Sequence, residues 1–320
     1  MRNYIIRRVL QALPVILGIT IITFALAKAM PGDPFSSILS PSVSAAAIQH
    51  MRFEKGLLDP LPVQYYNWVV QLLHGNLGTS FQMSQPVTTV ISQRVGTTLT
   101  LDLMALVLAL LVTVPLGVIS AIRQYSLLDH SLTLISFIGI ATPVFFIGLL
   151  ALKYLALTWT VFPSGGVITP GVNLPFPQNQ LDALHHLILP AVILAFAQAA
   201  GFVRYLRASM LEVVRQDFVR TARSKGLGER VVVYKHALRN AVIPLVTLLG
   251  LSLPNLFSGG ILIETVFTIP GIAYTLYQGV IARDYPIILG ITLMLAILTV
   301  IGNLVADVAY GLVDPRIRFD

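Results

Sequence analysis

Residues able to do chemistry are scarce in this sequence, and one stretch holds most of the basic ones. Between Arg204 and Pro244 stand nine of the chain's 21 Lys and Arg residues: Arg204, Arg207, Arg215, Arg220, Arg223, Lys225, Arg230, Lys235 and Arg239. Long apolar runs flank this stretch, so it is the part able to meet water, anions or a polar partner. Its chemistry is recognition rather than bond making. The chain has no cysteine, which removes disulfides, thiolate metal sites and cysteine nucleophiles. No Gly-x-x-x-x-Gly-Lys-Ser/Thr loop is present to cradle nucleotide phosphates. His185 and His186 are adjacent, and neighbours on a helix point about 100° apart, a poor geometry for sharing one metal. Lys28, Asp102, Lys153, Glu264 and Asp307 read as helix-end residues. They do not form the paired acids or the nucleophile–base couple that an intramembrane enzyme needs.

The elements that carry these residues are apolar. Of 320 residues, 56% are hydrophobic and 11% charged, against about a quarter charged in a soluble domain. The composition is that of an integral membrane protein. A net charge of +7 could serve nucleic acid or anionic lipid. Basic residues also collect on cytoplasmic loops, and that reading leaves no nucleic-acid partner.

Charge-free runs of about 20 residues give an all-α fold with six transmembrane helices, at roughly 9–29, 98–122, 131–154, 185–206, 241–263 and 286–309. The first run, entered by Arg2, Arg7 and Arg8, is long for a signal core and reads as an uncleaved helix closing a segment 1–30. Two prolines and a glycine at Pro31, Gly32 and Pro34 stop it. Residues 31–96 read as an extracytoplasmic insertion of short helices, with interfacial aromatics at Tyr65, Tyr66 and Trp68. In the second span Thr97 or Thr98 is a candidate N-cap that places Asp102 near the first turn. An acid within a span is equally a functional candidate. Pro143 interrupts the third span, and 161–182 is an outer loop. Residues 265–282 read as bent or re-entrant, because Pro270 and Gly271 break the run. Asn255, Ser258, Glu264 and Asn303 are candidate polar residues of a translocation pathway, with close helix packing the competing explanation for the small and amide side chains. Six spans with both termini inside place fifteen Lys and Arg inside and six outside, while acidic residues divide seven and seven. The bias lies in the basic residues, as the positive-inside rule requires.

Within the basic stretch, Ser209 and Glu212 fit a capping box that would begin a new helix, and Asp217 is a second N-cap candidate. Two helical turns follow, and Gly226 supplies a stop. Phe218, Val219 and Ala222 form one apolar stripe. The helix could rest on anionic lipid, or dock in a protein groove, which the small Thr221 and Ala222 suit.

This segment resembles the cytoplasmic EAA loop of bacterial ABC-importer permeases, and specifically the peptide/nickel permease family in its first-permease branch. The motif's Glu-Ala-Ala, with Gly four residues after the second Ala, falls on Arg220, Thr221, Ala222 and Gly226, with the acid replaced. The resemblance extends to Pro31-Gly32-Asp33-Pro34, Gly75 to Ser80, Glu264-Thr265-Val266-Phe267 with Pro270-Gly271, Arg283-Asp284-Tyr285-Pro286 and the tail from Asp314 to Arg318. Ala273 stands where a second glycine is usual. The resemblance implies a type I ABC-importer permease fold, with a core over 97–315 and a coupling loop over 207–240. It also implies a heteromeric importer of the bacterial cytoplasmic (inner) membrane. The expected partners are a second homologous permease, two ATPase subunits, an extracytoplasmic substrate-binding protein and membrane lipid. This chain would bind no cofactor, and ATP and Mg would sit on the ATPases. Asp217, Phe218, Arg220, Thr221, Ala222, Lys225 and Gly226 would meet an ATPase. The resemblance implies half of a translocation pathway for di- or oligopeptides, with nickel, glutathione or oligosaccharide as alternative cargoes. A channel outside this class is the rival, and the spans lack the rings of charge it would use.

Overall fold

The computed structural model describes residues 2–32, 34–35, 44–252, 256 and 260–313. Regular structure among them is helical, with one β-bridge between Thr79 and Pro86. The helices are α1 (Arg2–Ala29), α2 (Ala45–Glu54), α3 (Leu61–Leu73), α4 (Val87–Ile122), α5 (Leu127–Ala141), α6 (Val144–Ala151), α7 (Gln178–Val213), α8 (Asp217–Ser224), α9 (Glu229–Val231), α10 (Leu238–Ala241), α11 (Ile243–Ser252), α12 (Ile261–Val266), α13 (Ile272–Ala282) and α14 (Tyr285–Val313). A π-helical turn, Leu152–Thr158, continues α6, and a second, Val232–Ala237, joins α9 to α10.

Among the described residues, five helical runs are long and apolar enough to cross a membrane: the end of α1, α4, α7, Glu229–Gly250 and the first part of α14. A sixth exists if α5 and α6 count as one span bent by 97°. The break falls at Thr142 and Pro143. Proline lacks the N–H that the next turn needs and pushes the preceding residue out of the helical region; Thr142 has ψ 125.

Several expected boundaries move. The second span begins at Val87, so Thr97 and Thr98 lie inside α4 and neither starts it. Asp102 is therefore mid-helix and the capping account of it falls. The Ser209–Glu212 box does not form, because α7 runs unbroken to Val213 and keeps Leu206 and Met210 on its buried side. Asp217 is the first residue of α8 rather than its cap; Gln216, with extended φ and ψ, takes that position without a side-chain bond. The helical run of the fifth span starts at Glu229, earlier than expected, and α12 is a separate helix. The bend expected within 265–282 is present, since α12 and α13 are separated by Pro270 and Gly271.

The core is the seam between α4 and α7. Leu101, Ala105, Ala109, Thr113 and Gly117 recur every four residues and are all buried, so α4 presents one narrow, smooth stripe. α7 answers with Leu187, Ala191, Leu194, Ala195 and Ala199. A Cβ on Gly117 would come within 2.9 Å of the Leu206 side chain, and one on Gly139 of α5 within 2.8 Å of Ala200. Small residues here set how closely the helices approach, which drives packing where lipid supplies no hydrophobic force between helices. The outward faces carry Leu10, Leu17, Leu103, Val107, Leu111, Phe137 and Ile138, all exposed, as a lipid-facing surface would be.

At the end away from the basic stretch, α1 packs against α14 through Phe24, Ala27, Leu289 and Tyr285, and α3 adds Tyr65 and Trp68 to the same cluster. Asp284 accepts hydrogen bonds from the Ser80 hydroxyl (2.5 Å) and the Gln82 backbone N–H (3.0 Å), tying the loop before α4 to the start of α14.

Candidate functional site

The basic stretch folds around α8. This helix has two turns and a defined end: Lys225 is its C-cap, and Gly226 follows at φ +76, a conformation that costs a side-chain-bearing residue free energy. Val219 (0% exposed) and Ala222 (5%) point inward. They join Val118 and Ala121 of α4, Leu206 and Met210 of α7, and Val232, Val233, Ala237 and Ala241 of the following run in one apolar cluster. Ala222 makes its close approach within its own chain. Arg223 donates two hydrogen bonds to the Glu229 carboxylate (3.1 and 2.7 Å), which clamps α8 to α9 across the Gly226 turn.

The other face of α8 is bare. Asp217, Phe218, Arg220, Thr221, Lys225 and Gly226 are all exposed. Phe218 is 44% exposed, a large apolar ring standing among charges. The Thr221 hydroxyl turns back to the Asp217 carbonyl (2.9 Å). Arg220 and Asp217 approach to 3.8 Å, with both side chains almost fully solvated; such a contact contributes little. The geometry is a short rod with its feet in the bundle and an uncovered face of one aromatic and several polar side chains.

One contact beside this cluster had no sequence signal. Arg207 of α7 forms a bidentate pair with Asp129 of α5 (2.7 and 2.8 Å). The same carboxylate accepts from the Ser120 hydroxyl of α4 and from the Tyr125 N–H at 2.9 Å. Asp129 is buried and Arg207 one-quarter exposed. The pair ties α4, α5 and α7 together beside the α8 cluster.

Of the pathway candidates, Asn255 and Ser258 lie outside the described residues. Asn303 is half-buried on α14. Glu264 is fully buried at 0% exposure. Its carboxylate accepts from the Thr98 hydroxyl (2.7 Å) and the Tyr274 N–H (2.8 Å), while Thr98 accepts from the Ile272 N–H (2.8 Å). Thr98 and Glu264 thereby satisfy the open backbone donors at the start of α13, where negative charge suits the helix dipole. A Cβ at Gly271 would fall in the space that carboxylate fills. Asp102, one turn from Thr98 on the same face of α4, is buried, and its Oδ2 has no hydrogen-bond partner. The two adjacent histidines pin the loop before α7: His186 Nδ1 lies 2.9 Å from the Gly165 carbonyl oxygen and His185 Nε2 3.1 Å from that of Val161. Among the described residues no group of three or more His, Cys, Asp or Glu could hold a metal.

Comparison with known proteins agrees with a helical membrane bundle. Residues 113–319 match the family described as binding-protein-dependent transport system inner membrane component, and residues 1–102 match that family's N-terminal component. The chain is 44% identical over 320 residues to the oligopeptide transport system permease protein AppB of Bacillus subtilis (strain 168), with all of both chains covered. It is 42% identical to a putative peptide permease protein of Brucella suis biovar 1 and 35% identical to the dipeptide transport system permease protein DppB of Escherichia coli (strain K12), with 99% of each chain covered in both cases. The α4–α7 bundle, the broken third span and the short helix beneath it are thus features of a transport subunit rather than an enzyme, and the chain belongs to the binding-protein-dependent transport system inner membrane component family.

Proposed function

We propose that this chain is one permease half of an ATP-driven importer for di- or oligopeptides, and that α8 is where an ATPase subunit takes hold. The peptide cargo is supported by the relatives, which are named as oligopeptide, peptide and dipeptide permeases and match over the full chain. A second, similar permease completes the pathway, two ATPases attach on the cytoplasmic side, and a binding protein brings the peptide from outside. The basic stretch, and with it both termini, lies in the cytoplasm.

The observation that carries the docking assignment is the two-sidedness of α8. Val219 and Ala222 are buried in the bundle, while Phe218 is 44% exposed and Arg220 and Thr221 are exposed with it. An aromatic side chain on a rigid, charged rod is the kind of anchor that carries interface energy. ATP-driven closure of the ATPases would displace α8 and switch the spans between outward- and inward-open packings as rigid bodies.

The test is Phe218→Ala, which removes the exposed ring and leaves the buried Val219 and Ala222 in place. Membrane insertion should be unchanged, whereas ATPase retained on purification and peptide uptake should both fall, about tenfold for loss of one aromatic anchor. Unchanged retention with unchanged uptake would sink the assignment.

A further inference from the structure

Where α5 meets α7 at the basic end of the bundle, a cavity of about 220 Å³ opens between Thr133, Ser136 and Phe137 on one side and Val203, Arg204 and Arg207 on the other. That is below the roughly 300 Å³ at which sites for whole small molecules begin, and it suits one compact polar group. Arg204 and Arg207 are three residues apart and share a face of α7. Thr133 lies four residues beyond Asp129 on α5, about 6 Å of helix rise. The Arg207–Asp129 pair therefore marks the rim, and Arg204 and Thr133 stand one turn further into the spans.

The two arginines differ in their partners. Arg207 has its counter-charge in Asp129, through Nε and Nη2, and its Nη1 takes no part in that pair. Arg204 is exposed, and among the described residues no carboxylate pairs with it. Its guanidinium carbon lies 5.8 Å from the ring centroid of Tyr205, an aromatic of the kind that settles at headgroup level. A cation near the end of a span calls for a counter-charge or a path to the interface. No acid lines the cavity, and the nearby Asp129 is already engaged by Arg207, Ser120 and Tyr125.

Thr133 supplies a second, independent sign. Hydroxyls in helices commonly turn back to their own backbone, as Thr100, Ser136 and Thr299 do to the Gly96, Leu132 and Leu295 carbonyls (2.8, 2.8 and 2.7 Å). The Thr133 hydroxyl makes no such bond among the described residues, and it is not sealed in the protein as the unbonded hydroxyl of Thr113 is. Half-buried in the cavity wall, it is a free donor on the helix facing a free guanidinium. Beyond the cavity, Leu134, Phe137 and Ile138 of α5 are exposed, so the polar pocket opens onto an apolar surface.

We infer that this cavity holds the phosphate of an anionic phospholipid from the leaflet at the basic end of the bundle. Arg204 and Nη1 of Arg207 give the charged N–H donors, Thr133 gives a neutral one, and the acyl chains run out over Phe137 and Ile138. A guanidinium fork matches phosphate oxygens in geometry as well as in charge, and basic pockets between membrane helices take such headgroups. Without an acid in the wall to meet an ammonium, the pocket favours phosphatidylglycerol over a zwitterionic lipid. A lipid seated there bridges α5 and α7 beside the Arg207–Asp129 pair.

The experiment titrates the purified permease–ATPase complex with phosphatidylglycerol and reads retained lipid by native mass spectrometry, beside phosphatidylcholine. One tightly held phosphatidylglycerol per copy of this chain is expected, displaced neither by phosphatidylcholine nor by excess inorganic phosphate, which lacks the chains. Arg204→Gln should weaken that lipid about tenfold, the order of one charge-assisted hydrogen bond. Thr133→Val should weaken it about fivefold, as for one neutral bond. Arg204→Lys keeps the charge and should recover part of the loss. Arg215→Gln removes an exposed charge of the same basic stretch that does not line the cavity, and it should change nothing. Retention of the ATPases checks that each variant is assembled. Unchanged binding in Arg204→Gln, an equal loss in Arg215→Gln, or equal retention of phosphatidylcholine would overturn the inference. So would displacement by inorganic phosphate, which would make the cavity a site for free anions.

Discussion

Asp129 is the residue on which the basic end of the bundle turns. One carboxylate receives both arms of Arg207, the hydroxyl of Ser120 and the N–H of Tyr125. Removing one member of a buried ion pair is far more costly than the pair's net worth, because the survivor is left without its counter-charge. Asp129→Ala should destabilise the purified complex by about 3 kcal/mol, while Asp129→Asn, which keeps one oxygen to accept from Arg207 and from either Ser120 or Tyr125, should lose less. Thermal unfolding of the two variants beside wild type checks this, and equal midpoints for all three would refute it. Nothing in the sequence marked the contact. Asp129 reads as a turn residue and Arg207 as one more basic residue, and nothing across the sequence separation of 78 signals the pairing. Spans are legible because lipid partition sums locally along the chain. Side-chain partnerships are decided by tertiary approach, and so the Ser80–Asp284 and Thr98–Glu264 bonds were equally hidden.

Among the elements, α13 shows how a broken membrane segment is kept in order. Its first N–H groups have no turn of helix before them, and they are met by Thr98 from α4 and by Glu264 from α12. Thr98→Val keeps the shape of the side chain but removes the donor to Glu264 and the acceptor for Ile272. Leaving those buried groups unmatched should cost about 2 kcal/mol, read as a lowered thermal midpoint of the assembled complex; an unaltered midpoint would mean that α13 is held by packing alone. That 265–282 bends was legible from Pro270 and Gly271, because proline and glycine act on the backbone locally. That Thr98 sits deep inside a 36-residue helix was not. The apolar run suggested a start near 98, while the structure extends α4 back to Val87 through Thr89, Ser92 and Arg94. Polar residues at the end of a span are as helical as apolar ones once a neighbouring helix supports them.

For the whole molecule, orientation follows from the excess of Lys and Arg on one side, and the absence of native cysteine makes it directly measurable. Single cysteines at Ser224, in α8, and at Asn173, in the loop before α7, are both at exposed positions. In spheroplasts of an expressing bacterium, a membrane-impermeant maleimide should label Asn173→Cys and spare Ser224→Cys until the membrane is opened. The reverse pattern would put the basic stretch outside and end the docking proposal. Seen at this scale, the burial of Val219 and Ala222 has a mechanical corollary. Three spans rest on the same small footing, so none can be shifted while the other two stand still. A stroke delivered there is collective or it does not happen, and a half-engaged motor would stall the bundle rather than tilt one helix of it.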